Sequence, residues 1–170
     1  MSLRLKQFFY ICLMSKGPQD LPWSHQLLHV SLLAYLISGV LSMLDTTPFD
    51  QALLVMLVDL AVLLLYAWLC LQAFNKLSRF IQMATALAGV GTIFQLIAWP
   101  LLAYIDNQPE TTASGLSIWL LFFVGWNLAV YAHIFRESFN VRMLSAFVLT
   151  LTYAVITVSV RQLLFPDAGV

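Results

Sequence analysis

One acidic residue stands where only hydrocarbon-facing side chains would be expected. Asp59 interrupts LLVMLVDLAVLLLYAWL, positions 53 to 69, a run otherwise aliphatic and aromatic. A carboxyl in such a run can titrate in a proton or solute path, or it can accept hydrogen bonds that hold helices together. At the centre of a bilayer it costs about 2.5–3.5 kcal/mol, so it must lie against protein or water. Stepping by seven from Ala52 gives Asp59, Tyr66 and Ala73, with Cys70 beside them. That stripe is smaller and more polar than the rest of its helix and is expected to point inwards.

Three other polar residues fall at a similar depth. Gln95 shares a helical face with Ala84, Ala88 and Gly91, small residues that let a neighbouring helix approach closely. Asn127 lies over Tyr131, and Thr152 belongs to a seven-residue repeat of hydroxyls, Ser145, Thr152 and Ser159, flanked by Thr150 and Thr157. Together they predict a mid-membrane polar layer of Asp59, Gln95, Asn127 and Thr152, with Tyr66 on the same stripe as the acid. Arg161 is a second candidate partner for Asp59, because its long stem can reach inwards from the helix end. As plain glue, each interhelical hydrogen bond in such a layer contributes about 0.6 kcal/mol and seldom over about 1.7.

Metal and catalytic chemistry find less support. His25 and His29 are four apart and so share a face, and His133 falls towards the same side of the membrane. Such histidines can hold a metal or haem iron, but no Cys or carboxylate completes a set, and the expected role is interfacial. Cys12 and Cys70 form no ligand spacing and are expected to be reduced thiols. There is no G-x-S-x-G, no H-E-x-x-H, no P-loop and no paired acid cluster. Gly89 and Gly91 lie in an apolar span with no preceding strand, so they read as packing residues rather than a phosphate loop. No enzyme activity, cofactor or metal is expected.

The residues singled out need helices that cross a bilayer to position them. Of 170 residues, 61% are hydrophobic and 9% charged, with a mean hydropathy of +0.88. A soluble domain is about 45–50% apolar and about 25% charged, so the chain reads as an integral membrane protein. The net charge of zero says nothing about nucleic acid, and eight scattered Lys and Arg make no basic stripe for it. Apolar runs of about 20 residues fall over His25–Leu44, Gln51–Phe74, Phe80–Ile105, Gly115–Phe135 and Met143–Leu164. The connectors are short, which predicts antiparallel neighbours in one compact five-helix bundle. Pro100 is expected to kink the third span, and Gly125 with Ala129 forms a small-xxx-small pair.

The loop charges set a direction. Arg4, Lys6, Lys16, Lys76, Arg79, Arg136 and Arg142 share one side, against Arg161 alone towards the other. Asp45, Asp50, Asp106, Glu110 and Asp167 occupy that other side. The positive-inside rule predicts a cytoplasmic N-terminus and, after five spans, an external C-terminus. The first residues, MSLRLKQFFYICLMSKG, have too short an apolar stretch and no A-x-A-like site for a cleaved signal. They predict a short helix in the cytoplasmic interface, followed by an elbow at Pro18 and Pro22, with Asp20 or Ser24 capping the next helix. The expected organisation is therefore an interfacial segment and elbow at 1–24, one transmembrane domain at 25–165 and an external tail at 166–170.

Five packed spans, almost no loops and GPQDLPWS leading into the first span resemble bacterial members of the Yip family, small five-span proteins named for binding Ypt-type GTPases. The eukaryotic DLYGP pattern is absent. The resemblance implies a scaffold or partner-binding protein with no catalytic residues. The first functional expectation is accordingly a non-enzymatic, multi-pass inner-membrane protein. It would act as a partner-binding or assembly subunit, with lipids, other membrane proteins or a second copy as partners. The second is a small channel or proton-coupled carrier in which Asp59 titrates and Gln95 and Asn127 line the path. That reading requires a water-accessible cavity reaching Asp59.

Overall fold

The structure, a computed structural model, describes residues 2–106 and 110–166, with side chains except at 2–5, 105, 106 and 110–117. The side chains of Arg4, Asp106 and Glu110 thus lie outside the description, as does Asp167 with the rest of the expected tail beyond Pro166. Six helices follow one another: α1 (Ser2–Cys12), α2 (His25–Met43), α3 (Phe49–Ala73), α4 (Phe80–Asp106), α5 (Glu110–Phe139) and α6 (Met143–Leu164). Single 3₁₀ turns occupy Pro18–Asp20 and Leu77–Arg79, and no strand occurs among the described residues. Helices α2 to α6 are each long and apolar enough to cross a membrane.

Local chemistry sets the boundaries. Ser24 accepts from the Leu27 N–H at 3.3 Å and caps α2, while Asp20 instead accepts from the Gly17 N–H at 2.9 Å within the elbow. Pro48 immediately precedes α3, and Asn75, at φ 55°, ends it. Helix α5 continues past Phe135 to Phe139, because nothing in HIFRESF breaks it before Asn140, at φ 53°. Its exposed carbonyls are then capped from the connection between α3 and α4. Lys76 Nζ donates to Phe139 O at 2.6 Å, and Arg79 Nη1 donates to Glu137 O at 3.0 Å and to Ser138 O at 3.2 Å. Cations at a helix C-terminus also complement its dipole. Lys16, Lys76, Arg79, Arg136 and Arg142 all gather at this end of the bundle, called the basic end below. Helix α4 runs unbroken through Pro100.

Helix α4 is the axis. It packs on α1, α2, α3 and α5, and its closest partner is α2. Met83 through Ala88 are buried on every side, which needs the small side chains of MATALAGVG. Two glycines seat neighbouring rings. A Cβ at Gly91 would lie 2.5 Å from Tyr35 Cε2 and 2.9 Å from the Tyr131 hydroxyl, and one at Gly89 would lie 2.2 Å from Phe8 Cε1. Gly39 on α2 is likewise covered by Met56 of α3. Towards the far end the packing loosens. Leu96, Ile97, Leu102 and Tyr104 of α4 are exposed, and so are Ile118, Trp119, Leu121 and Phe122 of α5.

Phe8, Ile11 and Cys12 bury one face of α1 against α4 and α5, leaving Phe9, Tyr10, Leu13 and Met14 exposed. Trp126 Nε1 donates to Cys12 O at 3.1 Å, and His133 Nε2 lies 3.0 Å from Lys16 O. The Gln82 amide donates to Leu21 O at 2.8 Å. The segment up to the elbow is therefore fastened to the bundle by apolar seating and by side chains that satisfy its turn carbonyls. Burial pushes the Cys12 thiol from 9.0 up to about 11, so it carries no reactive thiolate at neutral pH.

Two measurements check this packing. Gly91→Leu should destabilise the purified protein by about 1–3 kcal/mol through overpacking. Gly125→Leu, where an added Cβ meets nothing within 4 Å, should leave the melting temperature unchanged. For Cys12, a value raised on folding means the neutral thiol's contribution is complete below about pH 9 and is lost as pH climbs towards about 11. Cys12→Ala should remove that part of the alkaline decline in melting temperature, and maleimide should modify Cys12 only after unfolding.

Candidate functional site

Helix α3 turns Ala52, Val55, Met56, Leu63, Ala67 and Leu71 to the interior, and Asp59 falls on that stripe, half-buried. Facing it, α2 presents Ser31, Tyr35, Ser38 and Ser42, spaced four, three and four apart, so all project from one side. The Tyr35 hydroxyl donates to Asp59 Oδ2 at 2.5 Å. Ser38 Oγ lies 2.5 Å from Gln95 Oε1 and 3.2 Å from Tyr35 O. Three helices are thereby joined through polar groups at one level, with Gly91 and Gly39 admitting the rings and stems that reach it.

A cavity of about 450 Å³ runs from this level to the far end of the bundle. Asp59, Tyr35 and Gln95 form its floor, Ser42 and Thr157 its walls, and exposed Thr46 marks its mouth. Arg161 enters from α6, three residues from that helix's end. Its Nη2 lies 3.9 Å from Met43 Sδ, and among the described residues it forms no ion pair. A second cavity, of about 300 Å³, opens between α4, α5 and α6. Asn127, Phe123 and Ala98 line it, and Tyr35, Asp59, Gln95 and Thr157 line both cavities.

Towards the basic end the site is closed. Tyr131 and Tyr153 meet as tilted rings at 6.0 Å between centroids, as do Tyr153 and Tyr66 at 5.4 Å and Tyr66 and Phe135 at 5.9 Å, and Phe135 stacks on Phe139 at 5.7 Å. Leu63, Ala67, Leu87, Val90 and Val130 fill the space around this aromatic column with less than a tenth of their surface exposed. The arrangement is a polar pocket reached from one end and sealed at the other.

The residues marked by sequence are distributed unequally. Asp59 and Gln95 come together, and Asn127 faces them across the second cavity. Arg161 shares the first cavity with Asp59 without closing an ion pair. Tyr66 stands two turns nearer the basic end and donates to Leu149 O at 2.7 Å. Thr152 leaves the layer altogether. It is exposed and donates to Val148 O of its own helix at 2.9 Å, as Thr150, Tyr153 and Thr157 turn inwards instead. The expected repeat of Ser145, Thr152 and Ser159 thus lies on the outer surface of α6. Ala73 is also exposed. Tyr35, Ser38 and Tyr153 were not anticipated, although the hydroxyl spacing on α2 was legible.

His25 and His29 are exposed, with the His25 ring edge-on to Trp23 at 5.0 Å, while His133 is buried beside the elbow. Among the described residues no three His, Cys, Asp or Glu side chains gather as a metal site. No family model matches the chain, and no curated protein or solved structure matches it.

The Tyr35–Asp59 bond can be isolated. Tyr35→Phe should cost about 0.6–1.7 kcal/mol, and that loss should fall close to zero in an Asp59→Ala background. Tyr66→Phe, acting two turns away, should add to Asp59→Ala without coupling. A double-mutant cycle on unfolding in detergent reads both.

Proposed function

We propose that this chain is a non-enzymatic, multi-pass inner-membrane protein that handles protons or a small polar solute through Asp59, as a small channel or proton-coupled carrier. The observation that carries the reading is the cavity of about 450 Å³ that brings the far end of the bundle to the carboxyl. An acid used only as glue has no need of an aqueous approach, whereas a titrating group must exchange protons with water. Gathering of Lys and Arg at the basic end supports a cytoplasmic N-terminus and an external mouth for the cavity. On this reading the aromatic column forms the cytoplasmic seal, and α1 with its elbow lies at the cytoplasmic side.

A second reading, a partner-binding or assembly subunit, draws on a different feature. Phe122, Gly125, Trp126 and Ala129 form a shallow groove on α5, and among the described residues nothing lies within 4 Å of a Cβ added at Gly125. The Yip-like layout belongs with this second reading.

Cysteine substitution tests the first. In a background lacking Cys12 and Cys70, Ser42→Cys and Thr46→Cys should react with an impermeant thiol reagent in intact cells and be protected in inverted vesicles. In proteoliposomes under an imposed potential, wild-type protein should acidify the lumen and Asp59→Asn should slow this at least tenfold. Unlabelled cysteines, or unchanged flux in Asp59→Asn, would discard the reading.

A further inference from the structure

The larger cavity holds opposite charges at its floor and near its mouth, and neither neutralises the other directly. Asp59 is held by Tyr35. Arg161 has a buried Nε with no hydrogen-bond partner among the described residues, and its Nη2 has Met43 Sδ, a weak acceptor, at 3.9 Å. Their directions matter. Side chains tilt towards the N-terminus of their helix, and α3 and α6 begin at opposite ends of the bundle. Asp59 therefore leans towards the mouth and Arg161 towards the floor. Their Cα atoms differ in level by about 10 Å at ~1.5 Å per residue, and the arginine stem takes up much of that. The carboxylate and guanidinium do not meet as an ion pair, and Ser42 and Thr157 line the same cavity with them. The Ser42 hydroxyl already donates to Gly39 O at 2.8 Å, which leaves its lone pairs facing the cavity as acceptors.

We propose that this cavity binds a small zwitterion, its ammonium against Asp59 and its carboxylate or phosphate against Arg161. The inference rests on the cavity being an accessible site, as argued above, and names what enters it. Separated charges in a pocket inside the bundle each carry a desolvation cost that no direct ion pair offsets. A ligand with both charges a few atoms apart compensates both at once and brings no net charge into the membrane. A simple anion or cation satisfies one end only. The volume suits a small molecule. The same chemistry is offered by a free amino acid or by the headgroup of an ethanolamine phospholipid.

Binding is measured on the full chain in detergent by calorimetry and thermal shift. L-alanine and glycerophosphoethanolamine, the latter with the phosphodiester of the lipid headgroup, should bind saturably and raise the melting temperature, while acetate and ethylammonium should bind at least tenfold more weakly. Asp59→Asn and Arg161→Gln should each weaken zwitterion binding at least tenfold. Should either variant fail to fold, the preference of the wild-type protein for zwitterions over the single ions decides alone. Nanodiscs separate the sources. Alanine binding that is lost in phosphatidylethanolamine discs but kept in phosphatidylglycerol discs assigns the site to lipid, and equal binding in both assigns it to a free solute. No saturable binding of either zwitterion, or binding unaffected by both substitutions in folded protein, overturns the proposal. If Ser42→Cys and Thr46→Cys still label from outside, that failure strikes the ligand class and leaves the accessible cavity standing.

Discussion

A carboxyl cannot be left against hydrocarbon, and the position of Asp59 constrains how every neighbouring helix packs. Its partner is the Tyr35 hydroxyl, so α2 must present that ring to α3 at one level. A tyrosine ring at a helix contact needs a hole opposite, and Gly91 of α4 supplies it. Ser38, one turn further along α2, then meets Gln95, one turn further along α4. The small residues of α4 and the polar stripe of α2 are therefore two halves of one device. Close approach makes the hydrogen bonds possible, and the hydrogen bonds hold α2 and α3 at a fixed register on α4.

That device divides the bundle into two unlike halves. Near the basic end, α4 is enclosed by α1, α2, α3 and α5, and side chains from Met83 to Ala88 touch protein on all sides. The loop cations bind the last carbonyls of α5, so this end is tied by polar contacts as well as by packing. Near the far end, large side chains of α4 and α5 face outwards, and the interior is filled incompletely. The cavities lie in this looser half for a physical reason. The small and polar side chains there leave space between the helices, and Tyr35, Asp59 and Gln95 line both cavities.

Much of this was readable from residue types, and the failures have particular causes. Long apolar runs broken by Asn, Pro and paired charges gave span limits that differ from the helices by a few residues. Asp59 and Gln95 were identifiable because their types are costly in a membrane and their depths agree. Thr152 was misplaced because a seven-residue period tells which residues share a face without telling which face is buried. On α6 that is decided by Tyr153 and Thr150, one and two positions away, which dock on α3 and α5 partners invisible to a single helix. Tyr35 was missed because a tyrosine in a span reads as ordinary packing until a carboxyl is seen opposite it. The seating of α1 depends on Phe8 meeting the hole at Gly89, a contact between residues 81 positions apart.

The tyrosines explain how a polar pocket and an apolar core can be neighbours. Tyr35, Tyr131 and Tyr153 each offer an apolar ring to the packed half, and the Tyr35 hydroxyl reaches up to the carboxyl, so the boundary between polar and apolar surroundings runs through single side chains. A phenylalanine in place of Tyr35 would fill the same space and leave Asp59 without its donor. An aliphatic layer there would move the boundary into a gap between side chains, where water could follow it inwards. The ring of Tyr35 is also the one seated on Gly91, so it cannot swing aside unless α2 and α4 separate. Any passage beyond Asp59 towards the basic end is therefore opposed first by the α2–α4 contact and only secondarily by the charge itself. On the proposed reading, the carboxyl would act on what dwells in the pocket, and helix packing would decide whether it goes further.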